Sequence, residues 1–193
     1  VKETKISMTI VDMPYNTYRN KIEALKNSMD ILTFTKADFI KIENDINNIE
    51  IVKYLCSKKI NVVSHIGVTP QKFKDFDKIR SVGKKLKERQ NLIELAIALE
   101  KAGSKLIVLE CINKTTSKLI TDKLSIPTIG IGASKNCDGQ VLVIDDILNI
   151  NSDIKKPKFV KKFIKIENYI MKAVKKFVRE VKNKKFPSNK NSY

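Results

Sequence analysis

The chain has no tryptophan, one histidine (His65), and only six glycines and five prolines in 193 residues. With so few breakers there is no Pro/Gly/Ser linker, and one domain over 1–193 is expected, for which the length and 42% hydrophobic content provide a core. No apolar run approaches the ~20 residues of a membrane span, and the first residues carry no secretory pattern, so the sequence predicts a soluble, cytoplasmic protein. Cys56, Cys111 and Cys137 form no Cys-x-x-Cys pair. An odd set without a secretory signal argues against a disulfide framework, so the three are expected to be reduced thiols. Arginine is also scarce: the net charge of +17 is almost all lysine, spread along the chain. Without a compact arginine and aromatic platform, generic surface lysine is the favoured reading over a nucleic-acid face. The densest stretch, 155–185, sets Phe163, Ile166, Ile170, Ala173, Phe177 and Val181 at helical spacing. That predicts packed helices over 158–183 with lysines on the solvated side, then a loose tail over 186–193.

Four short apolar runs each end on an ionisable side chain: Met-Thr-Ile-Val-Asp12, Phe-Ile-Lys-Ile-Glu43, Asn-Val-Val-Ser-His65 and Leu-Ile-Val-Leu-Glu110. Short, nearly continuous Ile/Val runs suit strands buried on both faces of a parallel sheet, and the spacing predicts strands over 6–12, 38–43, 60–65, 105–110, 126–132 and 140–146. Helical patterns alternate with them: Ile22, Leu25, Met29 and Leu32; a shorter one over 49–55; Leu92, Leu95, Ala96, Leu99 and Ala102 before the terminator Gly103; and one over 115–124. The class is therefore α/β. Six strands are fewer than a (β/α)₈ barrel requires, which leaves an open sheet or a barrel short of two units. A first residue that is valine rather than methionine favours a chain whose beginning is missing. In either plan the carboxyl ends of parallel strands face one way, so the four ionisable groups should ring one pocket.

Asp12 and Glu43 are oxygen donors of the kind magnesium takes, although each could equally cap a helix or pair with a lysine. Lys41 precedes Glu43 by two residues and shares its face of the strand, where its charge suits an anionic substrate or a developing enolate. His65 can be a structural hydrogen-bonder or a pocket residue, and its place at a strand end brings the two readings closer. Glu110 can act as a general base or form a salt bridge. Cys111, on the opposite face by alternation, reads as packing. Gly130 and Gly132 precede Ala133 and Ser134 but lack the spacing of a dinucleotide loop, and read as a tight turn.

Jointly these segments resemble the ketopantoate hydroxymethyltransferase family. The residues that carry the resemblance are Val11-Asp12-Met-Pro-Tyr15, Ile40-Lys-Ile-Glu43, His65-Ile-Gly-Val-Thr-Pro-Gln71, Ala98-Leu-Glu-Lys-Ala-Gly103, Val108-Leu-Glu-Cys111, Ile126-Pro-Thr-Ile-Gly-Ile-Gly-Ala133, Cys137-Asp-Gly-Gln-Val-Leu-Val143 and Pro157-Lys-Phe-Val160. The resemblance implies a (β/α)₈ TIM barrel of the phosphoenolpyruvate/pyruvate type, N-terminally incomplete with about six of eight strands present. It implies transfer of a hydroxymethyl group from 5,10-methylenetetrahydrofolate to 3-methyl-2-oxobutanoate through a magnesium-stabilised enolate, in a homo-oligomer that is commonly a decamer. By resemblance Asp12 and Glu43 fall on metal positions, Asp12, Lys41 and His65 on substrate-binding positions, and Glu110 on that of the proton acceptor. Two departures stand out. The family's first two strand units, with an Asp-Ser pair that supplies a metal ligand and a substrate contact, are absent. The family's Phe-Gly-Gly-Tyr-Lys-Val-Gln-Gly-Arg stretch reads Phe76-Asp-Lys-Ile-Arg-Ser-Val-Gly-Lys84, without the paired glycines or the glutamine. The sequence leaves two alternatives open: a related 2-oxo acid lyase or isomerase, and a catalytically impaired basic binding or assembly protein.

Overall fold

A computed structural model of the chain describes residues 6–72, 80–150 and 157–193. The altered stretch after Gln71 lies partly outside the described residues. The chain divides into two compact units, Val1–Val141 and Leu142–Tyr193.

In the first unit strands and helices alternate: β1 Ile10–Asp12, α1 Lys21–Thr35, β2 Phe39–Glu43, α2 Ile49–Ser57, β3 Val62–Gly67, α3 Leu86–Lys101, β4 Leu106–Glu110, α4 Lys114–Lys123, β5 Thr128–Ile131 and β6 Gly139–Gln140. All six strands pair in parallel in the order β1-β2-β3-β4-β5-β6. Sequential order with a helix after each of the first four strands is what repeated right-handed crossovers produce, and it is the plan of a curled part-barrel. Five strands fall where the apolar runs predict, within a few residues. The sixth does not: β6 covers only Gly139–Gln140, and the predicted 140–146 strand gives way to helix α5 at Ile144–Leu148 in the second unit. Asp145 and Asp146 in its first turn favour the positive end of a helix over an extended run.

Local signals set the helix boundaries. The Asn20 side chain accepts from the main-chain N–H groups of Ile22 (3.1 Å) and Glu23 (2.9 Å) to start α1, and Asn113 does the same for Thr115 (3.1 Å) at α4. Gly103 follows α3 at φ +106°. The buried face of α1 is Ala24 and Ser28, whereas Ile22 and Met29 from the apolar pattern stand exposed.

One face of the sheet builds the core. Ile40, Ile42, Val62, Ile66, Ile107 and Leu109 join Val52, Leu55, Ala96, Leu99 and Ile120 from the helices, nearly all with no solvent access. Each such Ile or Leu side chain contributes roughly 1.5–3 kcal/mol. Strand alternation turns the intervening residues, Lys41, Glu43, Val63, His65, Val108 and Glu110, to the other face.

The second unit holds α5 and α6, Ile166–Lys182. Helix α6 starts later than the predicted 158 and buries none of its residues; Ile170, Val174 and Phe177 are each more than half exposed. The helical spacing is present, and within the unit the Phe186 ring meets Phe177 edge-on with centroids 5.5 Å apart. The 186–193 tail is exposed and contains a short 3-10 turn at Asn189–Asn191. Among the described residues no helix is long and apolar enough to cross a membrane.

Gly67 ends β3 at φ +104°, and a Cβ there would lie 2.2 Å from the Glu110 carbonyl oxygen and 2.7 Å from Ile112 Cγ1. Gly67→Ala therefore combines a strained backbone with a collision against main chain, and a loss of about 2–3 kcal/mol is expected. Denaturant unfolding of the variant checks this; unchanged stability would mean that the β3–β4 ends are not packed this closely.

Candidate active site

The site begins with register. Asp12 lies opposite Lys41, Glu43 opposite His65, and Gly67 opposite Glu110, so neighbouring strands present their polar ends in successive rows at one end of the sheet. Val63 and Val108, both buried, stand below them on the same face.

Glu43 and His65 are each 2% exposed, an unusual depth for a carboxylate. His65 lies between two acids: its Nε2 is 3.1 Å from Glu110 Oε2, out of line for a hydrogen bond, and its Nδ1 is 4.0 Å from Glu43 Oε1. Glu43 Oε1 accepts from the Gln71 main-chain N–H at 3.1 Å, while Oε2 is buried without a hydrogen-bond partner. Burial pushes the Glu43 carboxyl above its usual range, against the opposing pull of the Gln71 N–H, His65, Lys41 and Lys72. Lys41 makes an ion pair with Asp12, whose side chain is half exposed.

A hydrogen-bonded frame holds these groups in place. The Asn44 N–H donates to the His65 carbonyl at 2.7 Å, and Asn44 Oδ1 accepts from the His65 N–H at 3.3 Å. Asn44 Nδ2 donates to Asn48 Oδ1 (2.9 Å), and Asn48 Nδ2 donates to the Glu43 carbonyl (2.9 Å). Gln71 Nε2 donates to the Met13 carbonyl at 3.2 Å, tying the segment after β3 to the end of β1. The five sequence-predicted residues thus lie at one end of the sheet as two clusters, Asp12 with Lys41 and Glu43 with His65 and Glu110. Among the described residues no group of three or more His, Cys, Asp or Glu side chains gathers as a metal cluster. Sequence reasoning gave no role to Asn44, Asn48, Gln71 or Tyr18, whose buried phenol is influenced by Glu43 and Asp12. Asn44 directly follows the Glu43 strand ending and Gln71 closes the His65 motif, so adjacency was the available signal for those two. Cys111 is buried, with its thiol pushed up to about 11 by burial and the neighbouring Glu110, in keeping with packing.

The model of the family described as ketopantoate hydroxymethyltransferase matches residues 1–189. The chain belongs to the ketopantoate hydroxymethyltransferase family. Relatives named 3-methyl-2-oxobutanoate hydroxymethyltransferase include one from Pelagibacter ubique, 46% identical over 189 residues, covering 98% of this chain and 72% of the relative. Another, from Clostridium botulinum, is 41% identical over 194 residues, covering 100% of this chain and 70% of the relative. A dihydrodipicolinate synthase from Acinetobacter baumannii is similar in structure, with a TM-score of 0.50 at 12% identity over 74% of this chain and 57% of that one. That likeness concerns the fold alone and agrees with an incomplete (β/α)₈ barrel. As a ketopantoate hydroxymethyltransferase family member the chain is a transferase of pantothenate biosynthesis acting on small molecules.

Glu43 offers a stability test. Its native carboxyl is raised, so above the usual 4.5 the folded chain holds this proton more tightly than the unfolded chain does, and stability falls as pH rises through the native value. Glu43→Gln removes that loss while keeping an oxygen for the Gln71 N–H. Its Tm is expected to exceed the parent's at pH 7, with the gap closing below pH 4. A lower Tm at pH 7 would show that the charged form is held by its partners more strongly than burial opposes it.

Proposed function

We propose that Asp12, Lys41, Glu43, His65 and Glu110 form the site where this hydroxymethyltransferase takes 3-methyl-2-oxobutanoate and 5,10-methylenetetrahydrofolate to 2-dehydropantoate. The observation that carries the reading is the approach of His65 Nε2 to Glu110 Oε2, 3.1 Å apart, beside the buried Glu43. A carboxylate at a sheet end beside a buried imidazole, its own side chain 14% exposed, is placed to accept a proton from bound substrate. Glu110 takes the C3 proton, and the electron pair left behind spreads onto the C2 keto oxygen as an enolate. Water adds to the folate-borne methylene carbon, whose two carbon–nitrogen bonds break as the nitrogens of tetrahydrofolate take up the protons; C3 then adds to the released formaldehyde-level carbon, and the alkoxide so formed takes the proton back from Glu110 as the new hydroxyl.

Lys41 and His65 supply the polar contacts to the 2-oxo acid: a fixed positive charge for its carboxylate and an imidazole for its oxygens. Asp12 and Glu43 would be the residues to hold magnesium. Both carry carboxylate oxygens, Glu43 Oε2 is buried and unpaired, and a hard cation would need only one or two carboxylates with substrate and water completing its shell. When bound, the ion supplies a Lewis acid that polarises the keto group. The same reading makes the protein a cytoplasmic enzyme, supported by its metabolic relatives, working as a homo-oligomer, supported by the family resemblance and the exposed apolar positions of α6.

In the active protein Glu110→Gln is expected to slow deuterium exchange at C3 of 3-methyl-2-oxobutanoate by about 10²–10⁴-fold while binding of the 2-oxo acid persists. Wild-type exchange would reject the assignment. Lys41→Gln is expected to weaken 2-oxo acid binding about 10- to 100-fold, the worth of one hydrogen bond to a charged group, as read by calorimetry. Unchanged affinity would mean that Lys41 serves only to hold Asp12.

A further inference from the structure

Gln71 sits in the short 3-10 turn Pro70–Lys72, just beyond the end of β3. The segment is pinned on both sides of it. The Val68 N–H donates to the Glu110 carbonyl at 2.9 Å, and Lys72 Nζ donates to Asp45 Oδ2 at 2.8 Å. Between these two anchors the Gln71 N–H donates to Glu43 Oε1 at 3.1 Å. That donor belongs to the main chain, so its place depends on where the turn is held.

The Gln71 side chain reaches the other way, toward β1. Its Nε2 donates to the Met13 carbonyl at 3.2 Å, and the Met13 N–H donates to the Lys41 carbonyl at 3.0 Å. A carbonyl can only accept, which fixes the amide with its NH2 toward Met13 and leaves Gln71 Oε1 buried without a partner. Met13 follows Asp12 in the chain and is fully buried, its sulfur accepting from Ser28 Oγ at 3.3 Å. A hydrogen-bonded path therefore runs from the Lys41 main chain through Met13 and Gln71 to the Glu43 carboxylate. The other buried polar atoms without partners at this end, Glu43 Oε2, both ring nitrogens of His65 and the Tyr18 hydroxyl, take no part in it. Strand pairing sets the main chains of β1 and β2, but it leaves the Glu43 side chain its own torsions. Gln71 is the residue that ties this carboxylate to the β1 end.

We propose that Gln71 is a positioning residue for the reaction: its amide anchors the turn to the β1 end, and the anchored main-chain N–H holds the Glu43 carboxylate in a fixed place relative to Asp12. The inference rests on the proposed reading of the site, in which Asp12 and Glu43 serve one bound 2-oxo acid. Gln71 acts through Met13 and Glu43 and makes no bond with substrate. Releasing its amide frees the turn, so Glu43 drifts at the reacting step while the Lys41 and His65 contacts that hold the 2-oxo acid stay.

The test compares Gln71→Met, which keeps the length of the side chain and loses its amide, with Gln71→Ala, which loses the amide without crowding the turn. Both are made in the active protein, both retain the N–H to Glu43, and both are assayed well below their own Tm. Expected are a fall of about 10- to 100-fold in kcat and in C3 exchange of 3-methyl-2-oxobutanoate, the cost of a small misplacement of a reacting group. KM and calorimetric affinity for the 2-oxo acid should stay within about threefold, and Tm should drop by only about 2–4 °C, the shift expected for one part-buried hydrogen bond. Three results would each overturn the proposal: wild-type turnover in either folded variant, a loss of affinity as large as the loss of turnover, or failure of both variants to fold, which would make the amide a structural bond. Glu110→Gln in parallel separates the two levels: normal exchange there rejects the site reading itself, whereas lost exchange there with normal Gln71→Met rejects only the role of Gln71.

Discussion

Everything at the candidate site depends on the pairing register of β2, β3 and β4. Parallel strands held by evenly spaced main-chain bonds put Glu43 opposite His65 and Gly67 opposite Glu110, and a slip of one residue would turn each of these side chains into the helix-packed core. The register is enforced from the other face. Ile40, Ile42, Val62, Ile66, Ile107 and Leu109 are sealed against the helices, and reversing them would expose six large apolar groups while burying lysine and carboxylates. The same apolar packing that stabilises the fold therefore fixes the polar geometry, and no site residue has to supply that stability itself.

That arrangement lets the site hold groups that are individually unfavourable. Glu43 is a carboxylate pushed toward its protonated form by burial, and an oxygen of it, both imidazole nitrogens of His65 and the phenol of Tyr18 lack well-formed hydrogen bonds. Unpaired buried polar atoms on this scale are uncommon in folded interiors and gather where a ligand completes the set. The frame around them is fully bonded by contrast: Asn44, Asn48 and the Gln71 main chain tie the ends of β2 and β3 together. A rigid scaffold carrying a few unsatisfied atoms is what an enzyme needs if substrate is to supply the missing partners.

The basic charge has a different physical origin. Most lysines lie on exposed surface, and the site itself contributes only Lys41, which is mostly buried and committed to Asp12. Helix α6 combines lysines with an apolar stripe whose Ile170, Val174 and Phe177 are each about half exposed, Phe177 meeting the Phe186 ring edge-on. Periodicity records that a face is apolar and says nothing about what meets it.

The apolar runs by themselves determined the alternating α/β order, five of the six strands and the position of Glu43, His65 and Glu110 at strand ends, because burial on both faces of a parallel sheet leaves a contiguous Ile/Val signature that stops where the pocket begins. They misplaced the last strand, where Val141 and Val143 suggested extension but Asp145 and Asp146 start a helix. Of the apolar face read for α1, Leu25 and Leu32 do pack against the core beside the fully buried Ala24 and Ser28, whereas Ile22 and Met29 stand exposed. Tertiary structure alone decided that Glu110 rather than Asp12 meets His65, that Glu43 is the deeply buried acid, and that Tyr18 and Gln71 join it. Those outcomes depend on register and on segments dozens of residues apart meeting at one sheet end, and a hydroxyl or amide carries no periodic trace in the chain of the partner it will face.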